Sequence, residues 1–196
     1  MAKPEAVDAH LMEVEETRQV VFQGNFLHIR RDTVRLPDAS LATREFVVHP
    51  GAVMVVPVLD DGRLVMERQC RYPLGQVILE FPAGKLDPAE SGAACAAREL
   101  EEETGYRAAQ WAKAGVMHNA PAYSTEGIEI WFARGLVAGP SRLDPGEFIE
   151  VVNCPVDFLE AEALAGRLTD AKTVVGLWWL RRWLSGEWSP EWVTAA

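Results

Sequence analysis

Residues 84–106, GKLDPAESGAACAARELEEETGY, decide how this chain is understood, because they place four glutamates within five consecutive positions. The alanines and leucine of this stretch favour a helix. Ser91 is suited to cap its start, and Gly105 can adopt the left-handed conformation that ends a helix. The sequence therefore predicts a helix over 91–104.

Three of the glutamates share one face of this predicted helix. At about 100° per residue, Glu99, Glu102 and Glu103 gather on one side, and small apolar side chains lie on the other. Like charges at this spacing each cost about 0.2–0.5 kcal/mol, and the helix dipole disfavours anions at a C-terminus. A divalent cation would make the arrangement favourable, since Mg²⁺ is usually held by carboxylates together with substrate phosphates. A solvated acidic face is the alternative for a glutamate run taken alone.

The spacing of these residues resembles the Nudix box, G-x5-E-x7-R-E-U-x-E-E-x-G-U, where U is a bulky apolar residue. Tyr106 fills the last position, which is more usually aliphatic. Resemblance to the Nudix hydrolases implies an α/β/α sandwich with a mixed sheet. The matching positions are Gly84, Glu90, Arg98, Glu99, Leu100, Glu102, Glu103, Gly105 and Tyr106.

Segments outside the box resemble the ADP-ribose pyrophosphatase branch of that family, and the resemblance covers roughly residues 19–184. Pro121 lies sixteen residues after Gly105, as in members that cleave ADP-ribose, and Glu126 falls where the branch places its catalytic glutamate. The loop at 119–122 reads Asn-Ala-Pro-Ala, whereas the branch has Pro-Ser-Pro-Gly. The missing glycine changes the backbone conformations that this loop can adopt. The segments are TREF at 43–46, HPGAV at 49–53, RQCRYP at 68–73, LEFPAG at 79–84 and the loop NAPA at 119–122.

The resemblance implies hydrolysis of ADP-ribose to AMP and ribose 5-phosphate with Mg²⁺ or Mn²⁺ as cofactor. Glu99 and Glu103 are the implied metal ligands, with Glu102 next and the Ala83 carbonyl completing the set. Two or more divalent cations would clamp the diphosphate and lower the pKa of a water.

Two further residues carry implied catalytic roles. Glu126 is the candidate general base, and Glu129 or a glutamate of the box is the alternative. Arg98 is expected to orient Glu90 or the metal ligands rather than to contact substrate.

Four residues are candidates for substrate binding. Arg44 and Arg71 would contact phosphates or the terminal ribose, because guanidinium groups bind such oxygens bidentately. An ordinary surface salt bridge is the alternative for each arginine. Glu80 is a candidate for the adenine or ribose side, and Phe26 for stacking on the base.

Alternating and β-branched residues predict a strand-rich chain around the helix. We expect an α/β fold with a mixed sheet flanked by helices, divided into an antiparallel β extension at 1–50 and a Nudix hydrolase domain at 51–196. Exchange of such an extension between subunits is common in this branch, so the resemblance implies a homodimer. The predicted strands are 19–22, 26–34, 44–49, 52–59, 64–69, 77–81 and 128–133, and the later helices are 156–165 and 170–184.

Composition restricts the partners and the compartment. No apolar run approaches 18 residues, so no membrane span is expected. A net charge of −10 argues against a general nucleic-acid or anionic-membrane surface. Three cysteines and an N-terminus without an apolar core favour the cytoplasm.

Two other functions compete with ADP-ribose hydrolysis. The box determines the pyrophosphate chemistry but not the groups on either side, so another nucleoside diphosphate sugar, such as GDP-mannose or ADP-glucose, is an alternative substrate. A non-catalytic ADP-ribose sensor is the alternative from a different class, although the intact acidic set argues against it.

Overall fold

The computed structural model describes residues 6–194, which form eleven strands and three α-helices. The helices are α1 Gly92–Thr104, α2 Val156–Leu164 and α3 Ala171–Leu184, and short 3₁₀ turns occur at Ala6–Leu11 and Tyr72–Leu74. The strands are β1 Val14–Gln23, β2 His28–Arg35, β3 Leu41–Val47, β4 Ala52–Pro57, β5 Leu64–Arg71, β6 Gln76–Glu80, β7 Ala83–Lys85, β8 Tyr106–His118, β9 Gly127–Ala138, β10 Ile149–Cys154 and β11 Val193–Thr194.

The chain divides into two compact units. The first contains Met1–His49 together with Ala120–Glu126, and the second contains Pro50–Asn119 and Gly127–Ala196. The first unit is therefore not continuous in sequence, because it includes the loop after β8. The expected domains 1–50 and 51–196 stay a prediction. Residues 1–5 and 195–196 of those expected domains lie outside the described residues.

The first unit is an antiparallel sheet in the order β1-β2-β3. Asp32 of β2 stands opposite Arg18 of β1 on one side and Arg44 of β3 on the other. The loop 120–126 joins the end of β3, where the Thr125 amide donates to the Val47 carbonyl at 3.0 Å. This sheet occupies the stretch that the sequence assigns to a β extension.

The second unit contains two sheets. One has five strands in the order β11-β8-β9-β4-β7, in which β4 and β9 run parallel and the other neighbours run antiparallel. The other is antiparallel, in the order β10-β5-β6. The expected mixed sheet is confirmed.

Strand β4 shows why helices cover both faces of the five-stranded sheet. Successive side chains of a strand point to opposite faces. Val53 and Val55 pack in one core with Leu100 of α1. Met54 and Val56 pack in the other core, whose helical members come from α2 and α3. All six residues of β4 are buried, so the strand is the centre of an α/β/α sandwich, as expected.

Helix α1 begins and ends where the sequence indicates. The Ser91 hydroxyl accepts a hydrogen bond from the Ala94 amide at 3.3 Å. Gly105 has a φ of 77°, and its amide donates to the Glu101 carbonyl. These two residues therefore set the length of the segment that carries the acidic face.

Four strands were not predicted, namely β7, β8, β10 and the two-residue β11. Two others are much longer than predicted, since β1 begins five residues before the expected start at 19 and β9 continues five residues beyond the expected end at 133. β8 is rich in alanine and contains Gly115, both poor strand formers. It forms because it pairs with β9 from Tyr106 to His118, so a tertiary contact overrides a weak local preference.

The tryptophans near the C-terminus pack helix α3 and the segment after it onto the sheet. The rings of Trp183 and Trp188 each lie 5.6 Å from the ring of Phe132 on β9. Arg134 lies 4.0 Å from the ring of Trp192. None of the helices found between residues 6 and 194 is long and apolar enough to span a bilayer.

The contribution of this packing can be measured on α3. Leu180 is fully buried in the core and Leu184, one turn later, is 53% exposed. We expect Leu180→Ala to lower the free energy of unfolding by about 2–5 kcal/mol, because it leaves a cavity. Leu184→Ala should cost less than about 1 kcal/mol. Urea denaturation of both variants checks this, and equal losses would contradict the packing described here.

Candidate active site

Helix α1 carries Arg98, Glu99, Glu102 and Glu103 beside the short strand β7. Glu103 is buried, and its carboxylate accepts a hydrogen bond from the Ala83 amide at 3.0 Å. The last turns of α1 are thus attached to the start of β7. Ala83, Glu99 and Glu103, three of the four expected metal-binding residues, lie along this contact.

Gly84 of β7 lies close to the carboxylate of Glu99. A Cβ atom at Gly84 would overlap the carboxylate of Glu99, which lies directly over the backbone of β7. Burial raises the pKa of Glu99, although the neighbouring Arg98 acts in the opposite direction. The first glycine of the box therefore makes room for one of its glutamates.

Arg98 connects the remaining glutamates of the box. Its Nε and Nη2 atoms donate to the two carboxylate oxygens of Glu90, each at 2.9 Å. Its Nη1 atom donates to Glu99 at 2.8 Å and to Glu102 at 3.1 Å. The hydrogen bonds from Arg98 lower the pKa of Glu90 to about 2. Arg98 therefore contacts Glu90, Glu99 and Glu102, and its expected orienting role stays a prediction.

A buried glutamate that sequence reasoning missed lies next to Glu103. Glu67, on β5, is fully buried, and neither of its carboxylate oxygens has a hydrogen-bond partner among the described residues. Burial raises the pKa of both Glu67 and Glu103. Repulsion by the Glu80 carboxylate adds to the rise at Glu67, and repulsion by Glu67 adds to the rise at Glu103. The sequence offered no clear signal, because Glu67 follows the apolar residues 64–66 in a strand that also contains Arg68 and Arg71.

Glu80 stands opposite Glu67 in the β5–β6 pairing. It is fully buried, and its two oxygens accept from the Arg71 Nε at 2.8 Å and from the Lys172 ammonium. Asp170 caps α3 and also pairs with Lys172 at 3.1 Å. The sequence suggested Arg71 and Glu80 as separate substrate-binding residues, and the structure shows that the two are hydrogen-bonded to each other. It missed Lys172, which is 92 residues away from Glu80 along the chain.

The three remaining residues that the sequence suggested for the site, Arg44, Phe26 and Glu126, lie in the first unit. Arg44 forms a hydrogen-bonded ion pair with Glu13 at 2.9 Å, and Phe26 is 67% exposed. Glu126 lies 3.5 Å from the His49 imidazole, and the Thr125 hydroxyl accepts from the His49 amide at 2.8 Å. The loop that carries Glu126 is therefore fastened to the residues after β3.

The donor set of α1 and β7 fits a divalent cation. Carboxylate and carbonyl oxygens are the ligands that Mg²⁺ and Mn²⁺ take, and a buried carboxyl without a cationic partner is costly. Across residues 6–194 no three Asp, Glu, His or Cys side chains converge on one point, because Glu99 and Glu102 face Arg98 whereas Glu103 faces Ala83.

Comparison with known proteins assigns the fold and the box together. Residues 48–175, well over half of the chain, match the NUDIX domain. The chain belongs to the Nudix family. Residues 16–47 match the nucleoside diphosphate sugar hydrolase N-terminal domain, so both units of this Nudix protein have counterparts in known families.

Several proteins resemble this Nudix chain over most of its length. An ADP-ribose pyrophosphatase of Bacillus subtilis is 34% identical over 84% of this chain and 90% of its own. A methanol dehydrogenase activator of Bacillus methanolicus is 35% identical over 82% of this chain and 88% of its own. A crystal structure of an ADP compounds hydrolase covers 90% of this chain and 97% of its own, with a TM-score of 0.80 and 25% identity. The Nudix assignment confirms the family and the hydrolase fold predicted from the box.

The pair between Glu90 and Arg98 should make stability depend on pH. The pKa of Glu90 in the folded protein, about 2, is below its ordinary value of 4.5. The stabilisation is therefore present above about pH 4.5 and is lost as the pH falls towards 2. We expect Glu90→Gln to lower the free energy of unfolding at pH 7 by about 1–2 kcal/mol, and the difference from wild type to shrink below pH 4.5.

Asp87→Asn provides the matched control, because Asp87 is largely exposed and lies 4.0 Å from the Arg98 Nε. It should change the free energy of unfolding by less than about 0.5 kcal/mol. Urea denaturation between pH 3 and 7 measures both variants. A Glu90→Gln penalty that does not depend on pH would refute the ion-pair explanation.

Proposed function

We propose that this Nudix protein hydrolyses the pyrophosphate bond of ADP-ribose, giving AMP and ribose 5-phosphate. The observation that carries the proposal is the complete acidic set of α1, held against β7 with Glu99 over Gly84 and Glu103 on the Ala83 amide. The name of the Bacillus subtilis relative, ADP-ribose pyrophosphatase, supports the choice of substrate.

Mg²⁺ or Mn²⁺ is the proposed cofactor, held by Glu99, Glu102, Glu103 and the Ala83 carbonyl. When bound, the cation would offset negative charge on the pyrophosphate and make a water a stronger nucleophile. Arg98 holds Glu99 and Glu102 in place through its hydrogen bonds. Glu90, which engages the other edge of the guanidinium, determines the orientation of Arg98.

Glu126 is the proposed general base. Its side chain is 23% exposed, so the carboxylate can reach a proton on substrate or water, and its own amide donates to the Ser124 hydroxyl at 3.1 Å. A base must be held within hydrogen-bond reach of the proton that it removes. The contacts of Ser124, Thr125 and His49 supply such restraint.

Arg71 is the proposed phosphate contact of the second unit. Glu80 engages one edge of its guanidinium, and the Arg71 side chain remains 39% exposed. Because Glu80 is fully buried, we propose that it acts by orienting Arg71 rather than by touching the adenine or ribose. Arg44 and Phe26 remain the proposed contacts of the first unit, to a phosphate or ribose and to the base respectively.

A cytoplasmic homodimer is the proposed form of the protein. All ten residues of β1 are exposed, including the apolar Val20 and Phe22, which favours a second copy as the partner of this strand. Three free cysteines, of which Cys95 and Cys154 are buried, suit a reducing compartment.

Another nucleoside diphosphate sugar, such as GDP-mannose or ADP-glucose, is the second candidate substrate. The match of residues 16–47 to a nucleoside diphosphate sugar hydrolase domain favours it, since that description names a broader class than ADP-ribose. The sequence of the loop 119–122, which lacks glycine, favours it too.

Nucleotide release from a panel of substrates tests the function. We expect Mg²⁺-dependent AMP release from ADP-ribose with a kcat/KM at least tenfold above GDP-mannose or ADP-glucose, a difference of about 1.4 kcal/mol in transition-state stabilisation. Glu103→Gln should lower turnover by about 100-fold or more, because it removes a charge from the proposed metal site.

Chromatography after incubation with and without Mg²⁺ separates the candidates. Faster cleavage of another sugar nucleotide would replace the substrate and keep the chemistry. Tight binding of ADP-ribose without cleavage of any compound would refute the enzyme and favour a sensor. Wild-type turnover by Glu103→Gln would refute the metal site.

The assignment of Glu126 as the general base can be tested separately. We expect Glu126→Gln to lower kcat by about 100-fold or more with a small change in KM, because the amide retains the shape but cannot accept a proton. Glu45→Gln is the matched control, since Glu45 is an exposed glutamate of the same unit that pairs with Arg31. Steady-state kinetics measure both, and a near-normal kcat for Glu126→Gln would move the base to Glu129 or to the box.

A further inference from the structure

Glu67 is the most unusual side chain of the second unit. It is fully buried, yet both carboxylate oxygens lack a hydrogen-bond partner among the described residues. Buried polar groups in folded proteins are nearly always paired, and a carboxylate is among the most costly to leave unpaired. Such an orphaned group calls for a ligand or a functional reason.

The charges around Glu67 do not balance. The charged groups that act on Glu67 are the carboxyls of Glu80 and Glu103 and the cationic groups of Arg71 and Lys172. Both cations are engaged by Glu80, which takes one of them on each oxygen. Three buried carboxyls therefore share two cations, and those two cations bond to only one of the three.

Glu103 is the neighbour that connects Glu67 to the acidic face of α1. The side chains of Glu67 and Glu103 interact with each other, and the hydrogen bond from the Ala83 amide is given to Glu103. Glu67 belongs to β5 and Glu103 to α1, so the two carboxyls come from different elements. A group of positive charge bound to Glu103 would also neutralise Glu67.

We propose that Glu67 is a further carboxylate of the divalent-cation site, which binds the cation jointly with Glu103. The inference rests on the proposed function only in taking Glu103 as a metal ligand. It adds a residue from outside the Nudix box, contributed by a strand rather than by α1.

The proposal predicts opposite effects on stability and on metal binding. Glu67→Gln keeps the shape and removes the like charge, and its amide can donate to Glu103. The metal-free protein should therefore melt at a higher temperature than wild type. The same change should weaken cation binding, because one of the charges that attract the cation is lost. A purely structural glutamate would change the melting temperature and leave metal affinity as it was.

Mn²⁺ binding measures the effect without relying on catalysis. We would titrate purified full-length protein, treated with EDTA and dialysed, and follow free Mn²⁺ by electron paramagnetic resonance. Glu67→Gln should raise the dissociation constant at least tenfold, and Glu67→Asp, which retains the charge, should recover part of the affinity. Glu150→Gln is the matched control, since Glu150 is an exposed glutamate of the neighbouring strand β10 that pairs with Arg68, and it should bind as wild type does.

A dissociation constant of Glu67→Gln within threefold of wild type would overturn the proposal. If Glu67→Gln does not fold, Glu67→Asp decides: a weakened but measurable affinity supports the assignment, and an unchanged one contradicts it. Failure of the proposed function is a separate result. It would appear as wild-type protein that binds Mn²⁺ but does not cleave ADP-ribose, and that outcome leaves the role of Glu67 standing.

Discussion

The burial of carboxylates between α1 and the sheets is the constraint on which the rest of the site depends. Moving an isolated carboxylate out of water costs roughly several kcal/mol, even after the protein relaxes. Glu103 has one amide hydrogen bond to offset this cost, and Glu67 has none within the described part of the chain. Buried carboxyls of this kind cluster at binding and catalytic sites, where their cost to a marginally stable fold is offset by function.

The α/β/α architecture provides the stability that such a site requires. Strand β4 is buried on both faces, and its side chains pack alternately against α1 and against α3. The tryptophans after α3 extend the apolar contact to Phe132 on β9. The core that contains Leu100 positions the acidic helix α1. The core that contains residues of α3 contributes stability that offsets the cost of the buried carboxylates. Packing of α1 against β4 places Glu99 beside the backbone of Gly84.

The sequence predicted those features that depend on neighbouring residues, and it missed those that depend on contacts between distant residues. Helix α1 was predictable to within a residue at its start, because Ser91, the alanine-rich run and Gly105 act on the backbone beside them. Strand β8 was not, because its alanines become a strand only by pairing with β9. The contact of Glu80 with Lys172 was equally hidden, since it joins β6 to the start of α3. A family pattern revealed the glutamates of the box, and nothing local separated Glu67 from an ordinary strand residue.

The same distinction explains why the reaction is easier to infer than the substrate. Pyrophosphate chemistry depends on one helix and one short strand, whose residues are close together in sequence and fit a single pattern. The proposed recognition of the groups on either side uses arginines whose carboxylate partners lie outside the arginine's own strand, as for Arg44 with Glu13 and Arg71 with Glu80. Each of these arginines already has a carboxylate partner, so a substrate phosphate must compete with it. If these arginines bind substrate as proposed, the strength of that competition, rather than the presence of an arginine, would determine which nucleotide sugar is bound well.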